Sequence, residues 1–227
     1  MTSPIILALD LDSKQALNLA DKLSPSICRL KVGSQLFTSS GPDIVKRLQD
    51  KGFEIFLDLK FHDIPNTVNK TVKVAGELGV WMINVHASGG SEMLEAAYSA
   101  NEDKSRPLLV GVTLLTSMNE KSAREIGFNL NPSEQVIHLT RLCKAAGLSG
   151  VVCSSKELIS LRKEFGKDFI LVAPGIRSVN SLKHDQKRTS TPIRAIKDGA
   201  NYIVLGREVT LEKDPLGKMR QILENIS

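Results

Sequence analysis

Long apolar runs are missing from this chain. No stretch approaches the roughly 20 residues needed to cross a bilayer, and Met1-Thr2-Ser3-Pro4 leads into a strand-like segment without a basic leader region. The expectation is a soluble, cytoplasmic protein with no membrane partner. Cysteine is scarce: Cys28, Cys143 and Cys153 are widely spaced in apolar surroundings, a pattern that fits neither a disulfide framework nor a zinc site. They read as buried, reduced thiols. Aromatic residues make up only 4% of the chain, and the formal charge of +5 is spread along it. Nucleic acid would find neither a stacking platform nor a basic stripe, whereas a small anionic substrate accounts for a mild positive excess. A GxGxxG turn is also absent after the first strand-like run, which weakens the reading as a doubly wound, dinucleotide-binding sheet.

What is present is alternation. Apolar runs of strand length recur at intervals of roughly 20 to 35 residues: Ile5–Leu11, Cys28–Val32, Glu54–Lys60, Trp81–His86, Leu108–Leu115, Gly150–Ser154, Phe169–Ala173 and Tyr202–Leu205. Helical periodicity fills the gaps, over Ser13–Leu23, Pro42–Lys51, Thr67–Leu78, Ser91–Ala100, Ser133–Ala146, Lys156–Phe165, Pro192–Lys197 and Leu216–Ile226. Gly52, Gly79, Gly147, Gly166 and Gly199 sit where left-handed helix caps would turn the chain back into a sheet. The strands are nearly continuous apolar runs, as in parallel sheets covered on both faces. Eight β/α units in 227 residues, without a break in composition, predict a single closed (β/α)8 barrel domain over residues 1–227.

Charge appears where a barrel core belongs. Side chains on a strand alternate faces, so Asp58 and Lys60 point one way and Leu57, Leu59 and Phe61 the other. The outer face of a barrel packs on helices, which leaves Asp58 and Lys60 facing inward near the strand's C-terminal end. Burying two charges is costly unless they pair with each other or with a ligand. Asp10 shares a face with Ile6 and Ala8, and Lys31 ends the second run. Four ionisable groups therefore converge on the end where barrels do their chemistry. Structural ion pairs are the alternative reading. His62 and His86 read as hydrogen-bonded structural residues, His86 sharing a face with Asn84.

Loops supply the rest. Asp63 lies just past the third run and before Ile64-Pro65-Asn66-Thr67, where proline marks a helix start. Pro174-Gly175-Ile176-Arg177 and Gly206-Arg207 follow the last two runs, the place where barrels bind phosphate; glycine admits backbone N–H groups to an anion and arginine supplies a fork. Two long connections, Thr116 to Pro132 and Arg177 to Thr191, are candidate lids. Thr116, Ser117 and Gln186 in them carry groups that can read a heterocycle or close over a phosphate.

The string Phe56-Leu57-Asp58-Leu59-Lys60-Phe61-His62-Asp63-Ile64-Pro65-Asn66-Thr67 closely resembles the signature of orotidine 5'-monophosphate decarboxylases. The likeness extends over almost the whole chain, through Leu7–Asp10, Lys31–Gly33, Asn84–Gly90, Val112–Ser117, Gly150–Ser154, Val172–Arg177, Asp185-Gln186 with Arg188, and Val204–Arg207. His184, where the family often carries an acidic residue, is a minor departure in a loop. The resemblance implies conversion of orotidine monophosphate to UMP and CO2 without metal or cofactor, as the last step of UMP biosynthesis. It implies Lys60 as proton donor within a charged network of Lys31, Asp58, Lys60 and Asp63, and Asp10 on the ribose and pyrimidine side. Thr116 would contact the pyrimidine, Gln186 would bridge lid and phosphate, and Pro174, Arg177, Gly206 and Arg207 would lie at the phosphate end. It also implies a homodimer in which Asp63 and Thr67 reach into the partner's site.

Two rivals stand beside this reading. One is a magnesium-dependent sugar-acid decarboxylase or hexulose-phosphate synthase barrel that shares Asp-x-Lys-x-x-Asp on its third strand; Lys31, Asp185-Gln186 and Gly206-Arg207 favour the nucleotide. The other is a non-catalytic, ligand-binding barrel, which has little reason to keep converging buried charges.

Overall fold

The alternation becomes a cylinder. In the computed structural model, which describes residues 3–101, 107–177 and 190–226, eight parallel strands pair in chain order and the eighth closes on the first. They are β1 (Ile5–Ala8), β2 (Arg29–Gly33), β3 (Ile55–Phe61), β4 (Met82–His86), β5 (Leu108–Val112), β6 (Gly150–Val152), β7 (Ile170–Ala173) and β8 (Tyr202–Leu205). Closure sets Ile5, Ile6 and Leu7 opposite Ile203, Val204 and Leu205. Around them lie α1 (Ser13–Ala20), α2 (Ser34–Ser40), α3 (Asp43–Gln49), α4 (Pro65–Glu77), α5 (Gly90–Ser99), α6 (Glu120–Glu125), α7 (Pro132–Ala145), α8 (Leu158–Phe165), α9 (Pro192–Lys197), α10 (Arg207–Thr210) and α11 (Pro215–Ile226). This is the expected (β/α)8 barrel. No helix among the described residues is long and apolar enough to cross a membrane.

The period of two divides the core in two. Outside β2, odd positions such as Leu7, Leu57, Ile83 and Leu171 face the helices in the large outer core; on β2 the parity is reversed, and Leu30 and Val32 lie there. Even positions, Ile6, Ala8, Phe56, Met82, Val110, Val172 and Val204, fill the barrel itself. They plug its middle, so a cavity can open only at the ends. The N-terminal end is stoppered by Arg29, whose guanidinium lies 4.1 Å from the Trp81 ring centre and 5.3 Å from that of Tyr202. Arg29 is held by the Ser3 carbonyl at 2.8 Å and by Glu54 at 2.8 Å, so this inward charge is neutralised within the framework.

Local chemistry starts and stops the helices where it was expected to. Asp12, Asn131 and Thr191 cap α1, α7 and α9, the last two followed by proline in the first turn. Gly52, Gly79, Gly147, Gly166 and Gly199 all have φ between 69° and 110°, a region only glycine enters cheaply. The three cysteines are buried and unpaired, and burial pushes the Cys28 and Cys143 thiols up to about 12.

Boundaries differ in two ways. The expected strands Ile5–Leu11, Leu108–Leu115 and Gly150–Ser154 end early, at Ala8, Val112 and Val152. Leu9, Leu114 and Cys153 remain buried after leaving the ladder, because apolarity marks burial rather than strand pairing. The short helices α2, α6 and α10 were not foreseen, being too brief to show a period. Thus Thr116–Pro132 is no open loop: Asn119 and Ser122 form a reciprocal cap that starts α6 inside it.

Candidate active site

At the C-terminal mouth the segment just after β1 and the inward faces of β2 and β3 deliver a row of alternating charge. Lys31 Nζ lies 3.3 Å from Asp10 Oδ1 and 3.1 Å from Asp58 Oδ2, and Lys60 Nζ lies 2.7 Å from Asp58 Oδ1. The row is graded in exposure. Lys31 and Asp58 are both 8% exposed, whereas Lys60 and Asp10 reach toward solvent. Gly33 leaves room for it, since a Cβ there would sit 3.1 Å from Lys31 Nζ.

Burial and pairing act against each other here. Burial by itself would lower the Lys31 pKa, but the carboxylates of Asp58 and Asp10 outweigh it and hold the ammonium above its usual range. Burial would raise the Asp58 pKa, and Lys31 and Lys60, with hydrogen bonds from Lys60 and Asn84, more than reverse it. Both groups are thus charged at neutral pH. His86 is held low, first by burial and then by His62 and Lys60, with Asp58 opposing. Its ring centre lies 5.4 Å from that of His62, the two rings tilted by 38°.

Lys60 carries the one positive φ outside glycine among the described residues, 53°. Such a conformation costs about 1 kcal/mol or more for a side-chain-bearing residue and collects at functional sites. It coincides with a register shift: Leu57 pairs with Ile83 but Phe61 with Val85, so β3 carries two extra residues there. The bulge tips Lys60 toward the mouth.

Closure of β8 onto β1 brings the loops after β7 and β8 beside these charges. One cavity of about 280 Å³ is lined by Asp10, Lys31, Asp58 and Lys60 on one side and by Pro174, Gly175, Arg177, Gly206 and Arg207 on the other, with Thr116 on its rim. That volume suits a small molecule rather than a polymer. The Arg177 N–H donates to the Ser190 carbonyl at 2.9 Å, tying the loop after β7 to the segment before α9. Arg207 opens α10 directly after Gly206.

Two expected residues stand apart. Asp63 and Thr67 are exposed at the entry to α4, outside this cavity, and Asp63 accepts the Ile64 N–H at 2.6 Å. Gln186, with Asp185 and Arg188, lies outside the described residues. Sequence reasoning missed a contributor. Asn84 is fully buried on the inner face of β4, donating to Asp58 Oδ1 at 2.6 Å and accepting the Lys60 N–H at 2.8 Å. Its inward parity was legible, but the bulge opposite it was not. No cluster of three or more His, Cys, Asp or Glu able to hold a metal occurs among the described residues.

The chain is similar to known proteins along nearly its whole length. The family model described as "Orotidine 5'-phosphate decarboxylase / HUMPS family" matches residues 3–222. The chain is 50% identical over 226 residues to the orotidine 5'-phosphate decarboxylase of Vibrio parahaemolyticus serotype O3:K6, covering 98% of this chain and 97% of that protein. It is 50% identical over 230 residues to the protein of the same name from Glaesserella parasuis serovar 5, covering all of both. The crystal structure of orotidine 5'-phosphate decarboxylase from Lactobacillus acidophilus superposes with a TM-score of 0.88 at 37% identity, over 99% of each chain.

Proposed function

Since the chain belongs to the orotidine 5'-phosphate decarboxylase / HUMPS family, we propose that it converts orotidine 5'-monophosphate to UMP and CO2 with Lys60 as the proton donor. The observation that carries this reading is the single cavity that joins the Asp10–Lys31–Asp58–Lys60 row to the Gly206-Arg207 end. A nucleotide has the two matching ends, a reacting pyrimidine and a phosphate.

The chemistry asks for such a row. When the bond from C6 to the carboxyl group breaks, its electron pair stays on C6 in an orbital in the ring plane, with no π system to spread into. Stabilisation must then come from a fixed positive charge close by, in a site from which water is kept. Lys60 supplies that charge, then transfers an Nζ proton to C6 to form the C–H bond of UMP, and regains a proton from solvent. Asp58 holds the Lys60 ammonium in place and lies toward the departing carboxylate. That repulsion is relieved as neutral CO2 leaves. Lys31 keeps Asp58 ionised, and Asp10 anchors Lys31 and faces the ribose. Thr116 contacts the pyrimidine.

Arg177, Gly206 and Arg207 hold the phosphate, with Pro174 lining the same end; the phosphate is remote from the reacting bond and so contributes binding energy that closes the loops. Gln186 completes that grip from the loop after β7. Replacing Arg207 with alanine is expected to lower kcat/KM for orotidine monophosphate by about 10- to 100-fold, the loss of one charged hydrogen-bonding group, chiefly through KM. An unchanged kcat/KM would place the phosphate elsewhere. Turnover itself, read as loss of the substrate's ultraviolet absorbance, distinguishes an enzyme from a barrel that only binds.

The magnesium-dependent rival needs carboxylates free to take a divalent cation. Here Asp10 and Asp58 each face an ammonium within 3.3 Å, and those cations would have to be displaced. The proposed reaction takes neither metal nor cofactor. Asp63 and Thr67, exposed beside Ile64, which is 65% exposed, suit a homodimer in which they complete the partner's site. We take residues 1–227 as one barrel domain working in the cytoplasm, where unpaired thiols such as Cys28 stay reduced.

A further inference from the structure

We propose that Asn84 is a positioning residue for catalysis: its side-chain amide holds Lys60 in its left-handed backbone conformation and sets the orientation of Asp58. The inference rests on the decarboxylase reading and goes beyond it by assigning the geometry of the proton donor to a residue on the neighbouring strand.

Asn84 is the only residue of β4 that lies between the two registered pairs Leu57–Ile83 and Phe61–Val85. On the β3 side the same interval holds three residues, Asp58, Leu59 and Lys60. A bulge of this kind strips backbone groups of their ladder partners, and a buried N–H without a partner is costly. The Asn84 side chain fills that vacancy, because its Oδ1 accepts the Lys60 N–H at 2.8 Å. Its Nδ2 donates to Asp58 Oδ1 at 2.6 Å, the same oxygen that receives Lys60 Nζ at 2.7 Å.

The orientation of the amide is fixed by chemistry. A backbone N–H can only donate and an ionised carboxylate can only accept, so oxygen must face Lys60 and nitrogen Asp58. With 0% exposure, Asn84 has no water to substitute for either bond. Both ends of the Lys60–Asp58 pair are thereby tied to one rigid group. Side chain and backbone of Lys60 are held at once, and the ammonium has one direction in which to point. Removing the amide leaves the Lys60 backbone free to relax out of the positive-φ region and the ammonium to drift. A misplacement of about 1 Å in such a group costs roughly 100-fold in rate.

The test combines two substitutions with Lys60→Ala as a reference, all assayed on orotidine monophosphate. Asn84→Ala is expected to lower kcat by about 100-fold with KM changed by less than about threefold, because the phosphate end on β7 and β8 is untouched. Asn84→Asp keeps the shape and the acceptor for the Lys60 N–H but sets a second carboxylate against Asp58, with Lys31 and Lys60 beyond it and His86 two residues along β4. Two such carboxylates share a proton at raised pKa. Once protonated, the new side chain donates to Asp58 as the amide does. The ratio of its kcat to that of the unaltered protein is therefore expected to rise at least about fivefold from pH 8 to pH 5.

Unaltered kcat in Asn84→Ala, a loss carried by KM, or a pH-independent ratio for Asn84→Asp would each overturn the inference. So would failure of both variants to fold by circular dichroism, which would assign Asn84 to the framework. If Lys60→Ala keeps its turnover, the decarboxylase mechanism itself fails. If Lys60→Ala is inactive while the Asn84 variants match the unaltered protein, only the role of Asn84 is lost.

Discussion

Replacing Lys60 with alanine is expected to lower turnover of orotidine monophosphate by at least about 10⁴-fold, since one group provides both the electrostatic stabilisation and the proton. The fold should persist. Lys60 lies at the exposed end of the charge row, with about a third of its side chain open, and it contributes nothing to the plug of Ile6, Ala8, Phe56 and Met82 beneath. Asp58 keeps Lys31 as its partner at 3.1 Å. Circular dichroism and thermal unfolding should therefore differ little from the unaltered protein while activity collapses. A variant that keeps its kcat would refute the role of Lys60 as donor. A variant that loses its fold as well would show that the lysine is structural.

Asp58→Ala is expected to damage both activity and stability, because its carboxylate lies at the centre of the row. Lys31, only 8% exposed, would be left with Asp10 alone at 3.3 Å. Breaking a buried pair by removing one partner typically costs about 3–5 kcal/mol. Turnover should fall by about 10²- to 10³-fold through loss of the group that aims Lys60. The pH dependence of stability follows from the directions of the two shifts. The folded-state pKa of Asp58 lies below its usual 3.8, so its contribution is complete above 3.8 and disappears as pH falls through the folded value. The pKa of Lys31 lies above its usual 10.5, so its contribution is complete below 10.5 and disappears as pH rises further. Stability from this pair is thus level between about pH 4 and 10. Urea midpoints of the unaltered protein and Asp58→Asn should differ by a constant amount across that range and converge below pH 3.8. A gap that already narrows above pH 4 would show that Asp58 is not held ionised by its neighbours.

Much of this was legible in the chain because it depends on local periods. Parity alone put Asp58 and Lys60 inside the barrel and Leu57, Leu59 and Phe61 outside, and the structure has them so. Glycine caps marked the helix ends because their φ is a property of single residues. What local periods do not carry is register between strands. The two-residue bulge opposite Asn84, the left-handed Lys60 and the shared oxygen of Asp58 all arise from how β3 lies against β4. Arg29 illustrates the converse. It too is an inward charge, but at the N-terminal end, where Trp81, Tyr202, Glu54 and the Ser3 carbonyl neutralise it. Position along the strand separates a framework charge from a working one. Asp63 and Thr67 stay outside the cavity of a single chain, and the proposed role for them in a second copy's site had no local period to announce it.

The most direct measurement is the conversion of orotidine monophosphate by the purified protein, followed by ultraviolet absorbance and by product identity, with and without an excess of EDTA. The proposed chemistry predicts UMP and CO2 formed at the same rate in both. Failure to form UMP, or abolition of turnover by the chelator, would contradict it.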